Sequence, residues 1–216
     1  MSDWYSLYSG GTGEIEEKKS RFIANIASVT TVEEANDFIA KIKKQYWDAR
    51  HNCSAYVIGN DGENTRCSDD GEPSGTAGRP MLEVLTREHI TNVCVVVTRY
   101  FGGTLLGTGG LVRAYQGATK EGLAHCSILK KEQGELFSVL CSYNDYGKLE
   151  FMCNSNGYYI EAIDYGSDVT MKILTLAENA SSLNTEIMNI TSGKAVITDR
   201  KKTLYAMLDG KAIYYD

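Results

Sequence analysis

The spacing of apolar residues changes character once along the chain, near residue 134. Ahead of that point the clearest segment is Val93–Val97, an apolar run rich in β-branched residues. Val93, Val95 and Val97 alternate onto one face, Cys94 and Val96 onto the other. A strand apolar on both faces belongs in the middle of a sheet that is covered on both sides. Around it, Phe22, Ala24 and Ile26 share one face of a strand over residues 20–27, and residues 52–59 read as another strand. Asn60-Asp61-Gly62 is a turn signal, so residues 65–67 are expected to return as a hairpin. Thr31 with Glu34 has capping-box spacing, and Ala35, Phe38, Ile39 and Ile42 form the apolar stripe of a helix running to about Tyr46. A short helix is expected from Met81 to Glu88, and a longer one from Leu111 to about Cys126 with Leu111, Tyr115, Ala118 and Gly122 on one face.

Beyond the polar stretch Lys130–Gly134, strands are expected at residues 135–143, 158–165, 169–177, 194–198 and 203–208. Helices are expected at 146–156 and from Asn179 or Ser181 through Leu183, Ile187 and Ile190. This is a β-α-β-β-α-β order, the ferredoxin-like arrangement. The boundary is placed so that residues 1–133 form one domain and 134–216 a second. The second has no histidine and no glycine-rich loop, and reads as a binding or accessory module.

Two stretches of the first domain carry candidate chemistry. After the central strand come Arg99 and Tyr100, then Gly102, Gly103, Gly107, Gly109 and Gly110, then Arg113. Glycine is costly inside helices and strands, by about 1 kcal/mol each, so this density marks a place where backbone turns tightly or lies close to something else. Strand, glycine-rich loop and helix together leave backbone N–H groups free to meet an anion, bracketed by the two arginines. The spacing is neither a Walker A loop nor Gly-x-Gly-x-x-Gly. The plainer reading is that the glycines permit close helix-on-sheet packing and that the arginines are paired or at the surface.

The second stretch is Ser68 to Pro80, where Asp69, Asp70 and Glu72 fall within four residues and Ser74 or Thr76 can cap the helix that follows. Such a loop can bind a hard cation, although its spacing is not that of an EF-hand. Alternatively its carboxylates accept backbone N–H groups or pair with Arg99 and Arg113. His51 precedes the second strand as a neighbour of either site, with no partner evident from spacing.

Charge narrows the functional classes. Residues 1–133 carry 15 Lys and Arg against 17 Asp and Glu, and residues 134–216 carry 7 against 11, for a net charge of −6 over the chain. Broad, sequence-independent nucleic-acid binding is therefore not expected without a local basic patch. The six cysteines form no Cys-x-x-Cys pair, so no zinc ribbon or thioredoxin motif is read, and no metal or cofactor is assigned. Free cysteines in apolar runs, an N-terminus without a signal-peptide pattern, and no apolar stretch of membrane-spanning length together predict a cytoplasmic protein.

Several blocks resemble one family. Residues 95–107, reading Val-Val-Val-Thr-Arg-Tyr-Phe-Gly-Gly-Thr-Leu-Leu-Gly, and 109–115, reading Gly-Gly-Leu-Val-Arg-Ala-Tyr, resemble the IMPACT/YigZ signature. Ser20–Ala24, Ala49–Cys53 and Ser68–Gly78 are similar to its other blocks, in order, so that the likeness covers residues 14 to about 128. The second half is similar to the C-terminal module of bacterial two-domain members. The resemblance implies an α+β fold, with an N-terminal βαβ-type sandwich like domain IV of elongation factor G and a ferredoxin-like C-terminal domain. It also implies a role in translation, since eukaryotic relatives regulate it by competing for the activator of an initiation-factor kinase.

Three functions follow as expectations. The first is a non-catalytic regulator of translation that binds RNA, the ribosome or a translation-linked protein through the glycine loop and its arginines. The second is an enzyme acting on a phosphate-bearing or similarly anionic small molecule, with Asp69, Asp70 and Glu72 holding a metal or exchanging protons. The third is a protein-interaction module in which both loops are structural.

Overall fold

The structure is a computed structural model and describes residues 4–215. It divides into two compact units, residues 1–130 and 131–216. The division falls ahead of the boundary expected at 133/134 because Glu132, Gln133 and Gly134 are already paired in a strand of the second unit.

In the first unit the strands are β1 (Tyr5–Ser9), β2 (Gly11–Glu17), β3 (Ser20–Ser28), β4 (His51–Ile58), β5 (Asn64–Ser68), β6 (Ile90–Thr91), β7 (Val93–Tyr100) and β8 (Ser127–Lys130). The helices are α1 (Val32–Gln45), α2 (Gly78–Arg87) and α3 (Gly107–Ala124). The main sheet has the order β2-β3-β7-β4-β5, with every neighbouring pair antiparallel. The central position of β7 follows from its two apolar faces. Val93, Val95 and Val97 pack with α2 and α3 through Met81, Leu85, Leu111, Tyr115 and Ala118. Cys94 packs on the other side, with Ala35 of α1, Val29, Tyr56 and Ile58. A small sheet, β6-β1-β8, completes the unit.

Glycines let α3 approach the sheet closely. A Cβ at Gly122 would sit 2.9 Å from Ala24 Cβ, and one at Gly13 would sit 2.6 Å from the Gly122 nitrogen. The Thr31 hydroxyl caps α1 as expected, accepting from the Glu34 N–H at 3.1 Å, while the Glu34 carboxylate accepts from the Thr30 N–H at 2.7 Å.

The second unit holds β9 (Glu132–Cys141), α4 (Tyr143–Asn156), β10 (Tyr159–Tyr165), β11 (Val169–Leu176), α5 (Ala180–Ile190), β12 (Val196–Leu208) and β13 (Lys211–Tyr215). Its antiparallel sheet runs β10-β11-β9-β12-β13. Both helices cover one face, around Phe137, Val139, Met171, Ile173, Leu149 and Leu183. Gly157 ends α4 with φ +73°, a left-handed turn that suits glycine.

Several boundaries differ from the sequence reading. The long helix begins at Gly107, four residues before Leu111, so three of the loop glycines lie in its first turn. The two late strands expected at 194–198 and 203–208 form one strand, β12, with a register shift between Ile197 and Asp199. The strands β1, β2, β6, β8 and β13 were not read from the sequence. They are short or alternate weakly, and sheet pairing is what holds them.

Candidate anion site at the end of the N-terminal sheet

His51 and Arg99 are register partners at one end of β4 and β7. Both loops that carry candidate chemistry converge on this end. The acidic loop is organised first by Asp69. Its carboxylate accepts N–H groups from Gly75 at 2.8 Å, Ala77 at 3.0 Å and Gly78 at 2.9 Å. Partial burial pushes the Asp69 carboxyl up, but the backbone donors of Gly75, Gly78 and Ala77 outweigh it and hold the group below its ordinary value. Asp69 thus caps α2 from outside the helix. Neither Ser74 nor Thr76 does so: Ser74 is exposed, and the Thr76 hydroxyl donates to the Pro73 carbonyl at 2.7 Å.

Asp70, with φ +43°, accepts from Lys43 Nζ at 2.6 Å and from the Asn52 N–H at 2.7 Å. Its carbonyl lies 3.0 Å from His51 Nδ1. A carbonyl only accepts, so Nδ1 carries the hydrogen and neutral His51 is left with Nε2 as an acceptor.

Glu72 turns inward. Its Oε1 meets Arg99 Nη1 at 2.7 Å and accepts the Tyr115 hydroxyl at 2.9 Å. The Cys53 thiol reaches the Tyr115 hydroxyl at 3.3 Å and the Asp69 carbonyl at 3.0 Å. Burial pushes the Cys53 thiol up to about 12, so it is inert at neutral pH. The Tyr115 hydroxyl is also raised, chiefly by burial.

The loop's carboxylates therefore each have assigned partners. Among the described residues no group of three His, Cys, Asp or Glu side chains is arranged to hold a metal. Arg99 serves this network and Arg113 does not, in contrast to the expectation that the two arginines bracket one site. Arg99 Nε is buried with no hydrogen-bond partner among the described residues. Arg99 also packs against the buried ring of Phe22 and against Phe101, at 5.4 and 5.6 Å from their centroids.

The glycine loop has two jobs. Gly102 passes so close to β3 that a Cβ there would collide with the Lys19 carbonyl, and its N–H donates to Ser20 Oγ at 3.1 Å. Gly103 and Gly107 have φ of +86° and +72°. The helix that follows has no side-chain cap and no acidic residue in its first turn, which contains Gly109 and Gly110. Arg113 is exposed and folds back over this turn, with Nη1 3.7 Å from where a Gly109 Cβ would lie. No described carboxylate pairs with it.

Beside this turn lies an open basin of about 640 Å³, lined by Arg50, His51, Arg99, Tyr100, Phe101 and Leu105. Asp48 closes one side and accepts the Tyr100 hydroxyl at 2.8 Å. Sequence reading missed Arg50, Phe101 and Leu105 as site residues. For the last two the signal is exposure of apolar side chains, 55% and 82%, which no spacing rule shows.

These features define a two-unit α+β protein. Residues 18–123 match the Impact N-terminal domain, and residues 139–194 match a domain of unknown function, DUF1949. The IMPACT family member YvyE of Bacillus subtilis is 39% identical over 203 residues, covering 94% of each chain. The crystal structure of a hypothetical protein covers 97% of this chain and 99% of its own, with 32% identity and a TM-score of 0.57. The two-domain translational regulator Yih1 is 30% identical, covering 55% of this chain and 48% of its own, with a TM-score of 0.37. The chain belongs to the IMPACT family, in its bacterial two-domain form.

Proposed function

We infer that the protein is a non-catalytic regulator of translation, and that its N-terminal unit binds RNA, the ribosome or a translation-linked protein through the α3 end of the sheet. The observation that carries this is charge left uncompensated. A helix N-terminus is already positive, and a cation beside it is unfavourable unless an anion is also present. Arg113 sits on that turn, Arg50 is exposed at the basin rim, and no described carboxylate pairs with either, in a chain of net charge −6. Membership of the IMPACT family supports translation as the setting.

The exposed Phe101 and Leu105 favour a macromolecular partner over a small metabolite, and the internal pairing of Asp69, Asp70 and Glu72 weighs against the metal-assisted enzyme. The fold reading carried by the resemblance goes with this role. We read the second unit as ferredoxin-like, supported by the antiparallel order β10-β11-β9-β12 with both helices on one face. We read the first unit as similar to domain IV of elongation factor G, and the domain division as the one on which the function turns.

Co-sedimentation with ribosomes at low and moderate salt tests the proposal. Wild type is expected to pellet, and an Arg50→Ala/Arg113→Ala double variant to lose most of that binding. Equal pelleting by both, or none by wild type, overturns it.

A further inference from the structure

We propose that the basin beside Arg99 accepts a single unstacked nucleotide of RNA, with its base laid on Phe101. This rests on the RNA-binding form of the reading above and specifies its ligand.

The basin, at about 640 Å³, is of the size of a small-ligand pocket and admits one nucleotide, not a duplex. Its floor is built for stacking. The Phe101 ring packs on the Arg99 guanidinium, which also packs on the buried Phe22 ring. Glu72 holds Arg99, and Tyr115 holds Glu72. The platform under Phe101 is thus set by buried, hydrogen-bonded side chains, so little ordering entropy remains to be lost when a ring binds. Phe101 itself is 55% exposed.

The polar groups match a nucleotide as well. Arg50 at the rim can meet a phosphate. His51 lines the basin, and with its Nδ1–H committed to the Asp70 carbonyl the neutral ring keeps Nε2 as its acceptor. An acceptor there reads an exocyclic base amine or a ribose 2′-hydroxyl. Leu105, 82% exposed, adds an apolar edge. With one or two arginines that no described carboxylate pairs, rather than a basic stripe, the surface does not suit a duplex backbone, whereas base stacking tightens the hold on a single strand.

The test is fluorescence anisotropy with a labelled single-stranded RNA hexamer and a blunt RNA duplex of the same sequence, using the full chain. The hexamer is expected to bind at least about tenfold more tightly than the duplex, with a log–log salt slope of about −0.7 to −1.4, as for one or two phosphates. Phe101→Ala should weaken hexamer binding by roughly tenfold, and Phe101→Trp should keep it. His51→Ala should lower affinity without changing the salt slope, whereas Arg50→Gln should flatten the slope by about 0.7. Duplex binding as tight as the hexamer, no change in Phe101→Ala, or no hexamer binding at low salt each overturns the inference.

Ribosome pelleting separates this failure from that of the functional reading. If pelleting is lost in Arg50→Ala/Arg113→Ala but no hexamer binds, the nucleotide inference falls and the translational role stands, with a protein partner at the site. If the hexamer binds and ribosomes do not, the translational role falls alone.

Discussion

Arg99 Nη1 lies 2.7 Å from Glu72 Oε1, with both side chains more than nine-tenths buried. The pair joins the end of the central strand to the acidic loop, and Tyr115 of α3 donates to the same carboxylate oxygen. Removing one member of a buried pair leaves the other charge uncompensated, which costs about 3–5 kcal/mol. Arg99→Ala and Glu72→Ala are each expected to lower urea stability by that order. An Arg99→Met/Glu72→Leu double variant should recover much of the loss. The comparison of urea midpoints checks this, and additive losses would show that the pair is not coupled.

Asp69 should make the acidic loop sensitive to acid. Its carboxyl is held below its ordinary value, so its contribution is fully present above about pH 3.9 and is lost as pH falls through the lowered folded value. Asp69→Ala should cost about 1 kcal/mol or more at pH 7, as loss of a helix cap does. At pH 2 the gap to wild type should shrink. Urea midpoints for both proteins at the two pH values give the measurement, and a constant gap would contradict it.

Gly102 is required by space. A methyl group there would meet the Lys19 backbone, which has no flexible end to yield. Gly102→Ala is expected to destabilise by roughly 1–3 kcal/mol, the usual cost of forced overpacking, and to displace Phe101 from Arg99. Thermal unfolding reads the first effect, and hexamer affinity reads the second.

Gly147, in the middle of α4, is the opposite case. A Cβ there meets nothing within 4 Å. Gly147→Ala should stabilise the second unit by about 0.5–1 kcal/mol, by restricting the unfolded chain. Chemical denaturation followed by a probe within residues 131–216 will show whether the midpoint rises.

Much of the first unit was legible because it obeys short-range rules. β7 declared itself by its two apolar faces, and α1 by Thr31 and its apolar stripe. The start of α3 was placed too late, because glycines weaken a helix pattern even where the helix forms. β1 and β8 escape sequence reading because their alternation is weak and they are held by pairing between the two ends of the unit, Tyr5 with Lys130 and Ser9 with Ser127.

The sequence by itself determined the central strand, the longer helices, the family blocks they carry, and that acidic and basic clusters of this chain needed partners. Only the tertiary structure decided who those partners are. Asp69 caps a helix, Asp70 takes Lys43, Glu72 takes Arg99, and Arg113 is left on a helix end with no carboxylate among the described residues. The reason is geometric. Opposite charges attract at any spacing, but which pair can shed water together depends on strand register and loop path, and these are set by contacts far apart in the chain.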